Sequence, residues 1–127
     1  MTNLVKIEKF NTLNEDERGL TSQFSLPRKQ DDFIFLTRKI GSESGNTYHE
    51  GKNSGTSPKT FLLLSGTIDF SYRKTGDKTV YSESISAPSK IMVQPLVTHK
   101  VMAKSDFIML ECNSILDIQN DKHRENV

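Results

Sequence analysis

The stretch TFLLLSGTIDFSY, residues 60–72, is the most strongly strand-like part of this 127-residue chain. It is rich in leucine, aromatic and β-branched side chains, and a single glycine, Gly66, lies at its centre. Such a composition is typical of a strand in a protein core. A glycine inside a strand indicates a bulge or a place where the backbone passes close to another group. The stretch therefore predicts a core built from β-strands.

The segments on both sides of this stretch are short, and turn-forming residues separate them. Alternating apolar and polar residues, or runs of β-branched and aromatic residues, predict further strands at 4–10, 20–26, 33–40, 79–85, 91–93, 98–103 and within 106–118. Polar stretches with glycine or proline predict loops or turns at 11–17, 41–46 and 51–58, and a hairpin turn at 74–78. We expect the strand at 33–40 to be the more central in its sheet.

Roughly eight or nine short strands at roughly ten-residue spacing are typical of an all-β sandwich or barrel. Helix-like spacing occurs only weakly, in residues 107–118. The predicted fold class is a small antiparallel β-sandwich that closes into a jelly-roll barrel. The length suits one domain, which we place at residues 1–118. A polar C-terminal tail follows at residues 119–127, and we expect it to be frayed.

The bulk composition excludes several classes of protein. Hydrophobic residues make up 34% of the chain and charged residues 26%, and a net charge of +1 gives no attraction to nucleic acid or to an anionic membrane. No apolar run reaches the roughly 18 residues that a membrane span needs, and the N-terminus lacks the apolar core of a signal peptide, so we expect a cytoplasmic protein. The single cysteine, Cys112, excludes an intrachain disulfide, and its apolar surroundings indicate core filling rather than a nucleophile.

The three histidines differ in their surroundings. His123 lies in the polar tail, where we expect no role for it. His49 and His99 lie in or beside apolar strand-like segments, one on each side of the FLLLSG stretch. Such a pair suggests a shared pocket. The alternative is that each is a half-buried histidine that makes a single hydrogen bond.

Two stretches around these histidines resemble the motifs of the cupin superfamily. Residues 45–49, GNTYH, are followed by a polar loop and then by residues 58–66, PKTFLLLSG, an order that resembles the first cupin motif. Residues 95–101, PLVTHKV, resemble the second motif, and residues 106–111 resemble the closing strand. The resemblance covers roughly residues 33–112. It implies a cupin-like jelly roll with a pocket inside.

The strand period indicates which of the motif side chains share a face. Residues two apart point the same way, so Thr47 and His49 share one face, and Tyr48 and Glu50 share the other. In the cupin pattern the first face looks into the barrel, where His99 from a neighbouring strand would meet His49. Two imidazoles in a small barrel can bind a metal, polarise a ligand carbonyl or shuttle a proton.

The cupin resemblance has departures that bear on metal binding. The first histidine of the family corresponds to Thr47, and the family's glutamate falls near Pro58, so only His49 and His99 stand in place. Because catalytic metal sites usually have about three protein ligands, we expect no cofactor. If a divalent metal is bound, we expect His49, His99 and Glu50 as its ligands.

A further stretch, residues 16–20 with the sequence DERGL, resembles the Asp-x-Arg-Gly sequence of the nucleotide-sugar cupins. Those proteins are metal-free, dimeric epimerases and ketoisomerases that act on thymidine-diphosphate-linked deoxyhexuloses. The resemblance implies a homodimer that binds a nucleotide-sugar. Thr47 stands where those families have a catalytic histidine, and Ser44 where they have an arginine. The alternative for residues 16–19 is an exposed turn held by an arginine–carboxylate pair.

Three functions are compatible with this sequence. The first is a metal-independent sugar or nucleotide-sugar isomerase or epimerase, with His49 as the base and His99 as its catalytic partner. The second is a non-catalytic binding or sensory cupin whose loop 51–57 contacts a partner. The third is a metal-dependent cupin enzyme, with Glu50 or Glu111 completing the ligand set. All three bind a small molecule, and none requires nucleic acid or a membrane. The ligand-binding candidates are Arg18, Thr47, Tyr48, Tyr72 and Glu111. For Tyr72, the alternative is that its side chain packs in the core.

Overall fold

The computed structural model describes residues 3–127. Within that range the chain forms twelve β-strands and one short helix. They are β1 (Val5–Lys9), β2 (Asn11–Asp16), β3 (Gly19–Gln23), β4 (Ile34–Arg38), β5 (Glu43–Tyr48), β6 (Lys59–Ser65), β7 (Thr67–Lys74), β8 (Tyr81–Ser86), β9 (Ser89–Val93), β10 (Val97–Ala103), β11 (Phe107–Glu111), α1 (Ile115–Asn120) and β12 (His123–Arg124).

Ten of these strands form two antiparallel sheets whose inner faces enclose the core. Sheet one has the strand order β1-β9-β6-β11-β4, sheet two has the order β12-β5-β10-β7-β8, and β2 pairs with β3 in a separate hairpin. The predicted antiparallel β-sandwich is therefore confirmed. Its core consists of apolar side chains from both sheets, among them Phe61, Leu63, Ile68, Phe70, Ile91, Val93, Phe107 and Met109.

The strand-like stretch at residues 60–72 is divided at Gly66. The prediction of one continuous strand is wrong, because β6 belongs to sheet one and β7 to sheet two. Gly66 has φ +90°, and a Cβ at this position would lie 2.3 Å from the carbonyl oxygen of Asp106. The predicted close approach of the backbone is confirmed, and only glycine fits the turn between the two sheets. β7 and β8 form the predicted hairpin, and residues 75–80 connect them.

The N-terminal strand β1 lies where the sequence predicts it, but the loop predicted at residues 11–17 is wrong. Residues Asn11–Asp16 form β2, which pairs with β3. Every residue of β2 is exposed, so both faces of this hairpin meet solvent in the single chain. A strand exposed on both faces needs no apolar alternation, and this is why its polar sequence resembled a loop.

Two further predictions next to the pocket are corrected. Strand β4 is the edge of sheet one rather than a central strand, and its Phe35 is 64% exposed. Aromatic content alone did not distinguish an edge from a centre. The turn predicted at residues 41–46 is largely strand β5. Gly45 lies inside this strand. The position requires glycine, because a Cβ there would stand 2.8 Å from the carbonyl oxygen of His99.

The C-terminal tail is ordered, so the expectation that it is frayed is wrong. Helix α1 begins with a capping box in which Ser114 and Asp117 satisfy each other's backbone N–H groups. After the helix, β12 pairs with β5. Asp121 is fully buried and accepts hydrogen bonds from the backbone of the predicted loop at residues 51–58. A local reading of the polar tail could not show these long-range contacts. Among residues 3–127, no helix is long and apolar enough to cross a membrane; the expected cytoplasmic location stays a prediction.

Candidate functional site

A cavity of about 240 Å³ opens between the two sheets, at the end where β5 and β10 face β6 and β11. Its wall includes both histidines of the cupin-like motifs. The side chains that the chemistry below depends on are Thr47, His49, Lys59, Phe61, His99 and Glu111.

The two histidines meet in this cavity as the strand period predicts. His49 lies directly after β5, and His99 lies on β10 opposite Thr47. Their ring centroids are 5.8 Å apart in a stacked arrangement. The rings of Phe61 and Phe70 pack against His99 at 5.6 and 5.8 Å. This packing fixes the orientation of the His99 ring.

Both imidazoles are neutral at pH 7. Burial is the main cause that lowers the pKa of His99 to about 4; the hydrogen bond to Val97 opposes this shift, and the nearby Lys59 ammonium adds to it. Burial also lowers the pKa of His49 to about 3, again with a contribution from Lys59. A neutral imidazole has one nitrogen with a lone pair, so each ring can accept a proton.

The hydrogen bonds of the two rings differ. The His99 Nδ1 lies 3.0 Å from the carbonyl oxygen of Val97, which can only accept, so Nδ1 carries the proton and Nε2 has the lone pair. The side chain of His49 makes no hydrogen bond to any other of residues 3–127. His49 is thus the histidine whose two ring nitrogens are both available to a ligand.

The third polar group in the cavity is Lys59, which is 1% exposed. Its ammonium donates a hydrogen bond to Asn113 Oδ1, lies 3.4 Å from Glu111 Oε1 and sits 5.1 Å from the centroid of the Phe61 ring. Burial lowers the pKa of Lys59, whereas the Glu111 carboxylate opposes this shift. A buried cation is therefore held in place by a carboxylate and an amide.

Lys59 bears directly on metal binding. It follows Pro58, near which the cupin resemblance places the metal-binding glutamate, so a cation occupies the region where a metal-binding cupin has an anion. An ammonium there repels a divalent ion. Lys59 therefore disfavours a metal in this cavity, and the expectation of no cofactor stays a prediction.

Glu50, the expected third ligand of a bound metal, lies away from His99. Its carboxylate is 2.9 Å from His123 Nε2 and 3.1 Å from Lys52 Nζ. Within residues 3–127, only Glu50, Asp121 and His123 bring three metal-ligand atoms within 4.8 Å of one another. None of these three side chains lines the cavity, and Asp121 is already occupied by backbone N–H groups.

The structure brings together four of the residues predicted from the sequence. Thr47 and Glu111 line the same cavity as His49 and His99. Thr47 offers a hydroxyl to a ligand, and Glu111 acts on the cavity through its ion pair with Lys59.

The other predicted ligand-binding residues do not line the cavity. Tyr48 lies on the opposite face of β5 and stacks on His123 with ring centroids 5.0 Å apart. Tyr72 is buried in the core, and its hydroxyl donates to Glu83 Oε2 at 3.3 Å. Arg18 lies at the tip of the β2–β3 hairpin, where its guanidinium pairs with Asp16 at 3.0 Å. For residues 16–19, the observed geometry is the exposed turn with an arginine–carboxylate pair.

Four cations of the cavity were not singled out from the sequence: Arg38, Lys59, Lys122 and Arg124. Lys59 could have been found, because strand alternation puts it on the same face as Phe61 and Leu63. Lys122 and Arg124 could not, since they belong to the tail that was expected to be frayed.

Cys112 is buried, as the prediction of core filling requires. Burial raises the pKa of its thiol to about 11, so the thiolate is scarce at neutral pH. It does not line the cavity.

Comparison with known proteins identifies solved structures that have the same fold. No protein-family model matches the chain, and no curated protein sequence matches it significantly. Solved structures do match. QdtA, a sugar 3,4-ketoisomerase from Thermoanaerobacterium thermosaccharolyticum in complex with TDP, shares 13% identity over 98% of this chain and 90% of its own length, with a TM-score of 0.74. A structure of a QdtA mutant contains TDP-4-keto-6-deoxyglucose.

Two other solved structures agree with this match. A 3,4-ketoisomerase from Helicobacter canadensis shares 12% identity over 95% of this chain and 90% of its own length, with a TM-score of 0.74. The dTDP-6-deoxy-D-glucose-3,5-epimerase RmlC from Legionella pneumophila, in complex with dTDP-4-keto-L-rhamnose, shares 15% identity over 97% of this chain and 73% of its own length, with a TM-score of 0.70. The chain therefore has the RmlC-like cupin fold, and the cupin resemblance is confirmed at the level of fold.

Proposed function

We propose that this cupin-fold chain binds a nucleotide-sugar and isomerises or epimerises the sugar beside a ketone without a metal. The observation that supports this most is the grouping of two neutral histidines and a buried lysine in one cavity. The fold adds support, because the similar structures include a ketoisomerase in complex with TDP and an epimerase in complex with a dTDP-linked sugar.

In this proposal the cavity moves a proton to and from a carbon next to the ketone. His49 is the base, since neither of its ring nitrogens is engaged by the protein and both rings are neutral at pH 7. The electron pair of the broken C–H bond forms a C=C bond, and the electrons of the ketone move to its oxygen. The Lys59 ammonium stabilises that developing negative charge. In epimerisation the ketone re-forms as a proton returns to the same carbon from the other face. In isomerisation the enolate oxygen takes the proton of the hydroxyl on the adjacent carbon, a proton is added to the former carbonyl carbon, and the deprotonated oxygen becomes the new ketone.

The low pKa of His49 describes the empty cavity. A ligand that carries two phosphates brings negative charge, and negative charge favours the protonated form of an imidazole. Binding therefore raises the pKa of His49 and makes it a better base. Thr47 stands where the resemblance implies a catalytic histidine, and its hydroxyl can position the sugar but cannot act as a base at neutral pH.

The proposal is tested by turnover of TDP-4-keto-6-deoxyglucose, followed by proton NMR. The His49→Asn variant should lose at least about a hundredfold in rate while it keeps its melting temperature within a few degrees. His123→Asn is the matched control, because His123 does not line the cavity. Turnover by His49→Asn at the unaltered rate ends the proposal.

The presence of Thr47 favours a second function, a cupin that binds the same ligand without reacting it. In that case saturable binding should occur with no product after prolonged incubation. Product that increases in proportion to protein concentration rules out this second function.

We also propose that the chain forms a homodimer through the β2–β3 hairpin. A two-stranded hairpin is marginally stable alone in water, yet this one exposes Leu13 by 57% and Leu20 by 47%. A second copy of the chain would cover these side chains. Light scattering should show a dimer for the wild type and a monomer for Leu13→Asp/Leu20→Asp. Val80→Asp, at an exposed apolar position near β8, is the control that should stay dimeric.

A further inference from the structure

Three cations stand at the mouth of the cavity, and they come from the edge strands of both sheets. Arg38 ends β4 at the edge of sheet one, whereas Lys122 and Arg124 belong to the C-terminal segment, whose strand β12 is the edge of sheet two. All three line the cavity, and all three are exposed. We infer that they form a clamp for the phosphate groups of the ligand, and that the C-terminal segment is therefore part of the binding site. This inference rests on the proposed function for the identity of the ligand.

The cations from the C-terminal segment have no partner within residues 3–127. Neither the Lys122 ammonium nor the Arg124 guanidinium makes a salt bridge or a side-chain hydrogen bond there. Arg73 gives the contrast, because it pairs with Glu125 of the same segment at 3.0 Å. Lys122 and Arg124 line the cavity and are not neutralised by a partner among residues 3–127, so both can pair with a ligand of opposite charge.

Arg38 is oriented for the same task. Its Nε donates to Ser44 Oγ at 3.1 Å, and its Nη1 donates to the carbonyl oxygen of Thr37 at 2.9 Å. These bonds hold the guanidinium in place and leave Nη2 for a ligand. A planar guanidinium with a remaining donor suits a phosphate oxygen.

The C-terminal segment is firmly attached on both sides of the two cations. On one side, Asp121 accepts the backbone N–H groups of Glu50, Gly51 and Lys52 at 2.8 to 2.9 Å. On the other side, the N–H group of Glu125 donates to the carbonyl oxygen of Asn46 at 3.0 Å. The clamp is thus held in position before the ligand arrives, which reduces the entropy lost on binding.

The alternation along the segment places these cations on the correct face. His123 points away from the cavity and stacks on Tyr48, so Lys122 and Arg124 on either side of it point toward the cavity. The chain as a whole has a net charge of only +1, yet the cavity wall has four cations and one carboxylate, Glu111. The positive charge is therefore concentrated at this opening, where it attracts an anion.

In this arrangement, the phosphate end and the sugar end of the ligand contact different parts of the cavity. The phosphates contact the rim formed by Arg38, Lys122 and Arg124, and the sugar extends inward to His49 and Lys59. Specificity for a phosphorylated ligand then depends on the last residues of the chain rather than on the motif residues.

The test is calorimetric binding of thymidine 5′-diphosphate, thymidine and inorganic pyrophosphate to the full chain. Lys122→Ala/Arg124→Ala should weaken thymidine 5′-diphosphate about a hundredfold, which corresponds to about 2.8 kcal/mol, because charged hydrogen bonds are lost. Lys78→Ala, an exposed lysine between β7 and β8, should leave the affinity unchanged. The two substitutions in Lys122→Ala/Arg124→Ala remove exposed side chains and leave Asp121 in place, so the melting temperature should stay within a few degrees of the wild-type value.

The outcomes separate the clamp from the proposed function. If thymidine 5′-diphosphate binds equally well to the wild type and to Lys122→Ala/Arg124→Ala, the clamp is wrong whether or not the protein has isomerase activity. If inorganic pyrophosphate binds in a manner that requires Lys122 and Arg124 while neither thymidine 5′-diphosphate nor thymidine binds, the clamp stands and the proposed function fails. If none of the probes binds the wild type, both are overturned.

Discussion

Lowering the pH from 7 to 5 should cost this protein about 3 to 4 kcal/mol of unfolding free energy, because two buried histidines resist protonation. The folded-state pKa values are about 3 for His49 and about 4 for His99, whereas an unfolded histidine has a pKa of about 6.5. Between these values the unfolded chain binds more protons than the folded chain, so stability falls as the pH falls. Each histidine contributes about 1.8 kcal/mol over these two pH units.

Urea denaturation at pH 5, 6 and 7 measures this effect. The matched variant is His49→Gln/His99→Gln, which has no titrating group in the cavity wall at these positions. It should be less stable than the wild type at pH 7. Between pH 7 and pH 5, its free energy of unfolding should fall by about 3 to 4 kcal/mol less than that of the wild type. Asp121, whose pKa is lowered because backbone N–H groups outweigh the effect of burial, loses its contribution only below about pH 4. An equal pH dependence in wild type and variant refutes the reasoning.

Three further predictions concern the cavity and the fold. Lys59→Met should lower turnover about a hundredfold, because it removes the cation beside the ketone oxygen. Lys59→Met/Glu111→Gln should recover the melting temperature but not the turnover. Recovered turnover would contradict the role of Lys59. Gly66→Ala should cost more than about 2 kcal/mol in a denaturant titration because its Cβ meets a carbonyl oxygen, whereas Gly76→Ala, also at positive φ but in open space, should cost about 1 kcal/mol. The acid limb of kcat/KM, which reports the free enzyme, should lie below about pH 5, since the pKa of His49 is about 3; a limb near pH 6.5 would argue against His49 as the base.

The features that depend on periodicity and motif spacing could be predicted from the sequence. Strand alternation put Thr47 and His49 on one face and Tyr48 and Glu50 on the other, and the structure has this arrangement. The order of the two cupin-like motifs predicted that His99 would meet His49. The first inference rests on short-range geometry, in which a side chain's direction follows from its place in a strand. The second rests on the resemblance to the cupin motifs.

The features that depend on long-range partners could not be predicted. Strand alternation puts Lys59 on the same face as Phe61, but the partners that allow its burial, Glu111 and Asn113, are distant in sequence. The order of the C-terminal segment depends on Asp121, whose donors lie in the loop after β5. A polar tail without apolar periodicity gives no local signal of such a contact.

The β2–β3 hairpin illustrates a different reason. Strand β2 has no core face in the single chain, so its sequence has none of the apolar alternation by which strands are recognised. The Asp16–Arg18 pair at its tip is an exposed ion pair, and such pairs contribute little to stability. The role of Arg18 in ligand binding stays a prediction. A nucleotide-binding assay of Arg18→Ala tests this role, and the dimer experiment tests the role of the hairpin that contains Arg18.

The central claim is that the cavity moves a proton beside a sugar ketone, and solvent deuterium measures this most directly. The protein is incubated with TDP-4-keto-6-deoxyglucose in D₂O, and proton NMR follows the signals of the carbons next to the ketone. The account predicts that the wild type exchanges such a proton for deuterium or forms a rearranged product, and that His49→Asn does neither. A wild type that binds the nucleotide-sugar but leaves every proton in place would contradict the account and leave a binding protein without catalysis.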